Sequence, residues 1–331
     1  IHATLDAARK AGFSIPANVE LITEPVAALI EYIFFQNPKI PTDDPRFLNL
    51  DEPCNVLVYD LGGGTLDLAL VRIEKTESGF RFTELSNNDT DLTRAIGGAD
   101  FDNEAMNYFL EEVIAIEARK RSITSKEMKE LLGEDMALLK EQIQGIAYNL
   151  KEEITNNRCG MIEPIVLPNE MRDDLDNEAI RFTLNGDEGY TYELSYMKCI
   201  WKLNANTEKN ILSRIRYVLE HAYYEDLSPV QLRNVDKLLV TGGMTDFPPV
   251  MEALEKYLKD QSMDEQSPFN LTILKSTAGL DAVSRGAAYS HTLTIENRRS
   301  YRPRKYFLDV TDGLPIELGK DYRNINLPNP N

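Results

Sequence analysis

Only three cysteines, three histidines and one tryptophan occur in 331 residues. Cys54, Cys159 and Cys199 are odd in number, far apart and without a C-x-x-C pair. That argues against a disulfide framework or a thiolate zinc site and fits a reducing cytoplasm. His2, His221 and His291 are scattered and supply no metal cluster. Basic residues are also short: 36 Lys and Arg face 54 Asp and Glu, a net charge of -18. Such an acidic chain suits neither a nucleic-acid backbone nor an anionic membrane surface, so neither is expected as the main partner. Long apolar runs are missing. The longest, Pro25 to Phe35, is broken by Glu31 and is too short for a bilayer. No signal peptide is recognisable, and the chain opens on Ile1 inside a helix-like pattern, which reads as an incomplete gene product.

What remains is ordinary globular composition, 42% hydrophobic and 27% charged, which excludes a disordered chain. The length points to two lobes. Ile1, Leu5, Ala8 and Phe13 fall at helical spacing, with Gly12 as the stop. After a strand-like "VELI", Thr23 reads as a cap and Pro25 as a first-turn proline for a helix "VAALIEYIFF". Phe34 to Asn55, with four prolines, reads as a long loop. "NVLVYD", "LDLALVRIE" and "FRFTELS" predict three strands of an antiparallel meander. Two amphipathic helices follow, one presenting Phe109, Leu110, Val113 and Ile114, the other Met136, Leu139, Ile143, Ile146 and Leu150. "MIEPIVLP" reads as a strand, 180–195 as a hairpin and 206–223 as a helix. "VDKLLVTGG" is a buried strand ending in glycines, "PPVMEALEKYL" a helix, "TILKS" a strand and "AGLDAVSRGAAYSHTL" a small-residue helix.

Chemistry gathers at Asp60-Leu61-Gly62-Gly63-Gly64-Thr65-Leu66-Asp67. Three consecutive glycines let the backbone turn with no Cβ in the way, so successive N–H groups can converge on one anion. Thr65 adds a hydroxyl. Asp60 and Asp67 are carboxylates able to hold magnesium through its water shell or to orient an attacking water. The same residues also suit a hairpin that merely turns. This is not a P-loop, since no G-x-x-x-x-G-K-[ST] is present and the turn leads into a strand. Gly242 and Gly243 with Thr245 close a second strand before a helix, either to approach a sugar or phosphate or simply to make a tight turn. Glu24 is a third candidate, although an acid at a helix start also suits the helix dipole alone.

"LITEPVAALIEY", "VLVYDLGGGTLDLALV", "AIGGADFDN", "LLVTGGMTDFPPVMEALEKYL" and "AVSRGAA" stand in the order of the actin-like ATPase fold. They most resemble the seventy-kilodalton heat-shock chaperone (DnaK-like) family. The resemblance implies an α/β fold with a ribonuclease H-like mixed sheet flanked by helices. It divides the chain into 1–36, the end of lobe I; 52–96 and 226–276, the lobe II core sheet; 97–225, an inserted α+β subdomain; 277–296, a returning lobe I helix; and 297–331, a linker and the start of a peptide-binding domain. "YFLDVTDGLPIELG" is similar to that family's interdomain linker, a tail that sugar kinases and actins lack.

Carried over by position, the resemblance implies ATP or ADP with magnesium as cofactors. Gly62, Gly63, Gly64 and Thr65 would bind the β/γ-phosphate side, and Asp60 would lie near magnesium and the attacking water, with Glu24 and Asp67 beside it. Gly98, Gly242, Gly243, Met244 and Thr245 would line the nucleotide. Lys151 would sit at the ribose, Tyr148 and Thr155 at the base. Glu152 and Asp246 stand where the family stacks an arginine on each side of adenine, Met244 replaces a small hydroxyl residue, and Leu280 replaces an acid. A stacked guanidinium contributes about 0.5–2 kcal/mol, so losing two weakens adenine binding roughly ten-fold or more. The leading expectation is part of a chaperone that hydrolyses ATP when intact, inactive as this piece alone. Its implied partners are unfolded peptide clients, a J-domain protein and a nucleotide-exchange factor. The alternatives are a non-catalytic actin-like scaffold and a small-molecule kinase of the same superfamily.

Overall fold

The structure, a computed structural model, describes residues 6–7, 9–12, 22–77, 79–87, 95–155, 211–224, 226, 228–262, 271–290, 295–299, 306–308 and 316–318. The predicted "VELI" strand, "MIEPIVLP" and the 180–195 hairpin lie largely or wholly outside them.

Cys54–Leu61 (β1), Leu66–Thr76 (β2) and Gly79–Asn87 (β3) form the expected antiparallel meander. On its other side β1 pairs in parallel with Lys237–Thr241 (β4), which pairs in parallel with Thr272–Lys275 (β5). Ile295–Arg299 (β6) runs parallel to β3, giving a mixed six-stranded sheet ordered β5-β4-β1-β2-β3-β6. Part of the Arg-rich patch therefore has strand backbone, a feature that its charge hides in the sequence. Tyr306–Leu308 (β7) and Ile316–Leu318 (β8) pair antiparallel within the linker-like tail.

Glu24–Glu31 (α1) begins with Pro25 in its first turn and continues through a π-helical turn, Tyr32–Gln36, and a 3-10 turn, Asn37–Lys39. The loop predicted from Phe34 thus starts only after Lys39. Thr23 occupies the cap position, but its hydroxyl donates 2.9 Å to Glu84 Oε2 on β3 instead of capping. Glu84 is fully buried, and hydrogen bonds to a buried charge are worth more than a cap to water-exposed amides. Next come Gly98–Lys120 (α2), Ser125–Leu132 (α3), Asp135–Thr155 (α4), Ser213–Glu220 (α5), Pro248–Ser262 (α6) and Ala282–Ser290 (α7). α3 was not predicted from periodicity. Its signature is the Thr124–Glu127 capping box, in which the Thr124 amide donates to Glu127 and the Glu127 amide to Thr124.

Every apolar residue of β1 is buried, because alternate side chains enter two cores. Leu57, Tyr59 and Leu61 pack with Phe101, Phe109, Ile143 and Leu254 from α2, α4 and α6 on one face. Val56 and Val58 pack with Val26, Leu29 and Ile30 of α1 on the other. α7 crosses α1 so closely that a Cβ on Gly286 would strike the Ala27 carbonyl. Neither backbone can yield without shifting a helix, so Gly286→Ala is expected to cost about 3 kcal/mol. A urea midpoint equal to that of the wild type would disprove this crossing.

Candidate functional site

Strand register collects the glycine turns at one edge of the sheet. Asp60 faces Thr241 across the parallel β1–β4 pair and Asp67 across the antiparallel β1–β2 pair. The turns after β1 and β4 therefore leave the sheet side by side. Gly242 has φ 89°, and a Cβ there would run into the Asp60 carboxylate and the Leu61 carbonyl, so the position requires glycine. Gly243 and Asp246 are exposed beyond it. Thr245 is buried and donates its hydroxyl 2.8 Å to the Gly242 carbonyl, holding the turn rather than reaching outward. Lys275 Nζ stands 2.9 Å from Asp246 Oδ1. Leu280 lies in the 3-10 turn Gly279–Asp281 ahead of α7.

In the triple-glycine turn the Gly62 amide donates to the Thr65 carbonyl at 2.9 Å and closes the hairpin. The Gly62 and Gly63 carbonyls accept from the Gly98 and Ala99 amides, at 3.0 and 2.7 Å, at the start of α2. In a trans peptide the carbonyl and the following N–H point in opposite directions. The Gly63 and Gly64 amides consequently face away from α2, on the exposed side of the turn. Among the described residues, none accepts from these two amides or from that of Thr65. Gly97 backs the turn: a Cβ on it would lie 2.6 Å from the Gly64 nitrogen. Of this glycine doublet before the helix, sequence reading named only Gly98 as a residue lining the nucleotide.

Three carboxylates stand behind the turn. Asp67 is buried, Asp60 half-buried, and Glu24 exposed in the first turn of α1. Burial first, then the charges of Asp67 and Glu24, push the Asp60 carboxyl up from 3.8 to about 7. Among the described residues, no group of three or more His, Cys, Asp or Glu is arranged to hold a metal directly. The donor set nonetheless suits magnesium held through water, since a divalent cation would relieve the like-charge crowding around Asp60.

α4 packs against the start of α2. Lys151 is buried, with Nζ 2.6 Å from Asp102 Oδ2, 3.5 Å from the Gly98 carbonyl and 5.1 Å from the centre of the Tyr148 ring. Tyr148 is 50% exposed, Glu152 is exposed, and Thr155 donates its hydroxyl back to the Lys151 carbonyl at 2.8 Å. A Cβ on Gly98 would come within 2.9 Å of Met244 Sδ and 3.4 Å of Lys151 Nζ, so the β4 turn and α4 meet over this glycine. Asp102 is the second residue that sequence reading missed. It lies four positions beyond Gly98 in "GGADFDN", and nothing local marks it as the partner of a lysine 49 residues away.

Residues 2–154 match the family model for Hsp70 protein. That stretch is a little under half of the chain. The Hsp70 match carries with it the actin-like ATPase fold, in agreement with the mixed sheet flanked by helices. A relative named chaperone protein DnaK, from Burkholderia cenocepacia (strain HI2424), is 26% identical over 319 residues, covering 96% of this chain and 38% of that protein. A heat shock protein homolog from Encephalitozoon cuniculi (strain GB-M1) is 28% identical over 300 residues, covering 86% of this chain and 38% of its own. The chain thus spans well under half the length of these relatives. Among its described residues, no helix is long and apolar enough to cross a membrane.

Proposed function

We propose that this chain is the nucleotide-binding part of a DnaK-like molecular chaperone whose intact form binds ATP with magnesium, hydrolyses it and couples the cycle to peptide binding. The observation that carries the proposal is the pair of outward-facing amides at Gly63 and Gly64, pinned from behind by the amides of Gly98 and Ala99. Fixed N–H groups on one side of a glycine turn favour a phosphate, and Thr65 adds a hydroxyl at the same rim. Asp60, Asp67 and Glu24 suit magnesium through its water shell, and the ion would offset phosphate charge. Asp60, titrating near neutrality, is suited to take a proton from water attacking a terminal phosphate. Lys151 and Tyr148 offer a cation and a ring for the nucleoside half.

Unfolded peptides, a J-domain protein, a nucleotide-exchange factor and a cytoplasmic setting follow from the family resemblance and belong to the same proposal. Calorimetric titration of the full-length protein with ATP and magnesium is expected to give saturable heat. A flat titration would retire the nucleotide reading in favour of an actin-like scaffold. That second reading draws on Glu152 and Asp246 in place of cations and on Met244 buried against Gly98.

A further inference from the structure

A cavity of about 510 Å³ opens between the π-helical turn that continues α1, the loop after it, the β4 turn at Asp246 and the end of β5. That is room for a small organic molecule. None of Gly62, Gly63, Gly64, Thr65, Asp60 or Lys151 lines it. Ile40, Ile273 and the Tyr32 ring supply apolar wall. The polar groups left over are donors, in a chain whose net charge is -18. Lys39 stands exposed at the mouth, and among the described residues no acid pairs with it. Arg46 gives Nε and Nη2 to Asp44 and keeps Nη1. Lys275 is engaged by Asp246, the carboxylate of the lining. Deeper in, Ser276 is 8% exposed. Its Oγ accepts from the Gln36 side chain at 3.1 Å and from the Ala278 amide at 3.3 Å, but its own proton has no acceptor among the described residues. Gln36 does not take it, because Nε2 is spent on Glu31 and Ser276, and Oε1 on the amide and hydroxyl of Thr277. A buried hydroxyl proton without an acceptor costs stability unless water or a ligand receives it.

We infer that this cavity is a second binding site, which takes a small organic anion bearing phosphate or carboxylate groups. Lys39 and Arg46 Nη1 meet the anionic oxygens at the mouth, and the Ser276 hydroxyl donates to one of them deeper in. Ammonium and guanidinium groups recognise both kinds of anion through charge-assisted hydrogen bonds, so the shared chemistry is the negatively charged oxygen. A cation finds no free acceptor here, because Asp246 already holds Lys275. A nucleic-acid strand is excluded by the acidic surface around the cavity mouth and by the size of the cavity. The site is independent of the nucleotide reading, since the triple-glycine turn takes no part in it.

The test titrates the full-length protein calorimetrically with glucose 6-phosphate and with citrate, at low salt and without magnesium, glucose serving as the neutral control. At least one of the two anions is expected to bind saturably, and glucose to give no heat. Lys39→Glu should weaken that binding about ten-fold or more, since it turns a charge-assisted donor into a repelling charge. Lys126→Glu makes the same charge change on the exposed surface of α3 and should leave affinity within about two-fold, because it is screened from the cavity. Ser276→Ala should weaken binding roughly five-fold by removing the inner donor. If Ser276→Ala does not fold, as judged by circular dichroism, the two lysine variants still decide. Binding of glucose 6-phosphate alone assigns a phosphate ester, and of citrate alone a carboxylate; either supports the site. No saturable binding by either anion overturns it. Binding that ignores Lys39→Glu and Ser276→Ala also overturns it, by placing the anion elsewhere, as does an equal loss in Lys126→Glu, which would reflect overall charge.

Discussion

Asp60→Asn is expected to make the folded protein more stable above pH 7 and, in the full-length protein, to cut magnesium-dependent ATP turnover about a hundred-fold or more. The stability half follows from the environment of the carboxyl. Burial, Asp67 and Glu24 raise it from 3.8 to about 7 in the folded state. Below the unfolded value both states are protonated and the group is neutral to folding. Between 3.8 and about 7 the folded state holds the proton that the unfolded state has released, so stability falls as pH rises. Above about 7 the folded state carries the full cost of a crowded charge. Asparagine keeps the shape and removes the charge. In urea melts, the difference between variant and wild type should therefore grow from near zero at pH 4 to a plateau past pH 7. A difference that is constant with pH would show that Asp60 is not held in this way. The turnover half has its own readout: the wild-type rate should rise through an inflection near pH 7, which the variant lacks.

Gly242→Ala is the second large effect. Its φ of 89° is unfavourable for any residue with a side chain, and the added methyl would meet the Leu61 carbonyl and the Asp60 carboxylate. Strain and overlap together should cost about 3 kcal/mol, and the turn should lose its place beside β1. Nucleotide binding is expected to fall below detection at concentrations that saturate the wild type. Gly63→Ala provides the contrast, because nothing lies within 4 Å of a Cβ there and its backbone does not adopt a positive φ. Its stability should stay within about 0.5 kcal/mol of wild type. If Gly242→Ala binds nucleotide and melts like Gly63→Ala, the packing of the β4 turn on Asp60 has no functional weight.

The glycine turns were legible in the sequence because their signals are local. A triple glycine between two apolar strands specifies a hairpin from its own sterics, and Gly242 soon after the apolar run Leu238-Leu239-Val240 marks a turn at a buried edge. The candidate acids Asp60 and Asp67 were legible for the same reason, since β1 and β2 pair through that hairpin. The cap at Thr23 was misread because its hydroxyl turns to Glu84, which is 61 residues away and reaches it only through β3. Helix α3 escaped because it is only eight residues long, too short for the i, i+3, i+4 spacing of Met128, Leu131 and Leu132 to stand out.

The sequence by itself determined the meander, the two long amphipathic helices and the positions of the glycine turns, all of which depend on residues a few places apart, and the resemblance to a family, which rests on five such local motifs standing in order. Only the tertiary structure decided which turns share an edge, that Gly97 backs Gly64, that Asp102 holds Lys151, and that Asp60 keeps its proton to near neutrality. Those properties come from desolvation and charge contributed by strands and helices distant in the chain, and no local pattern of side chains encodes them.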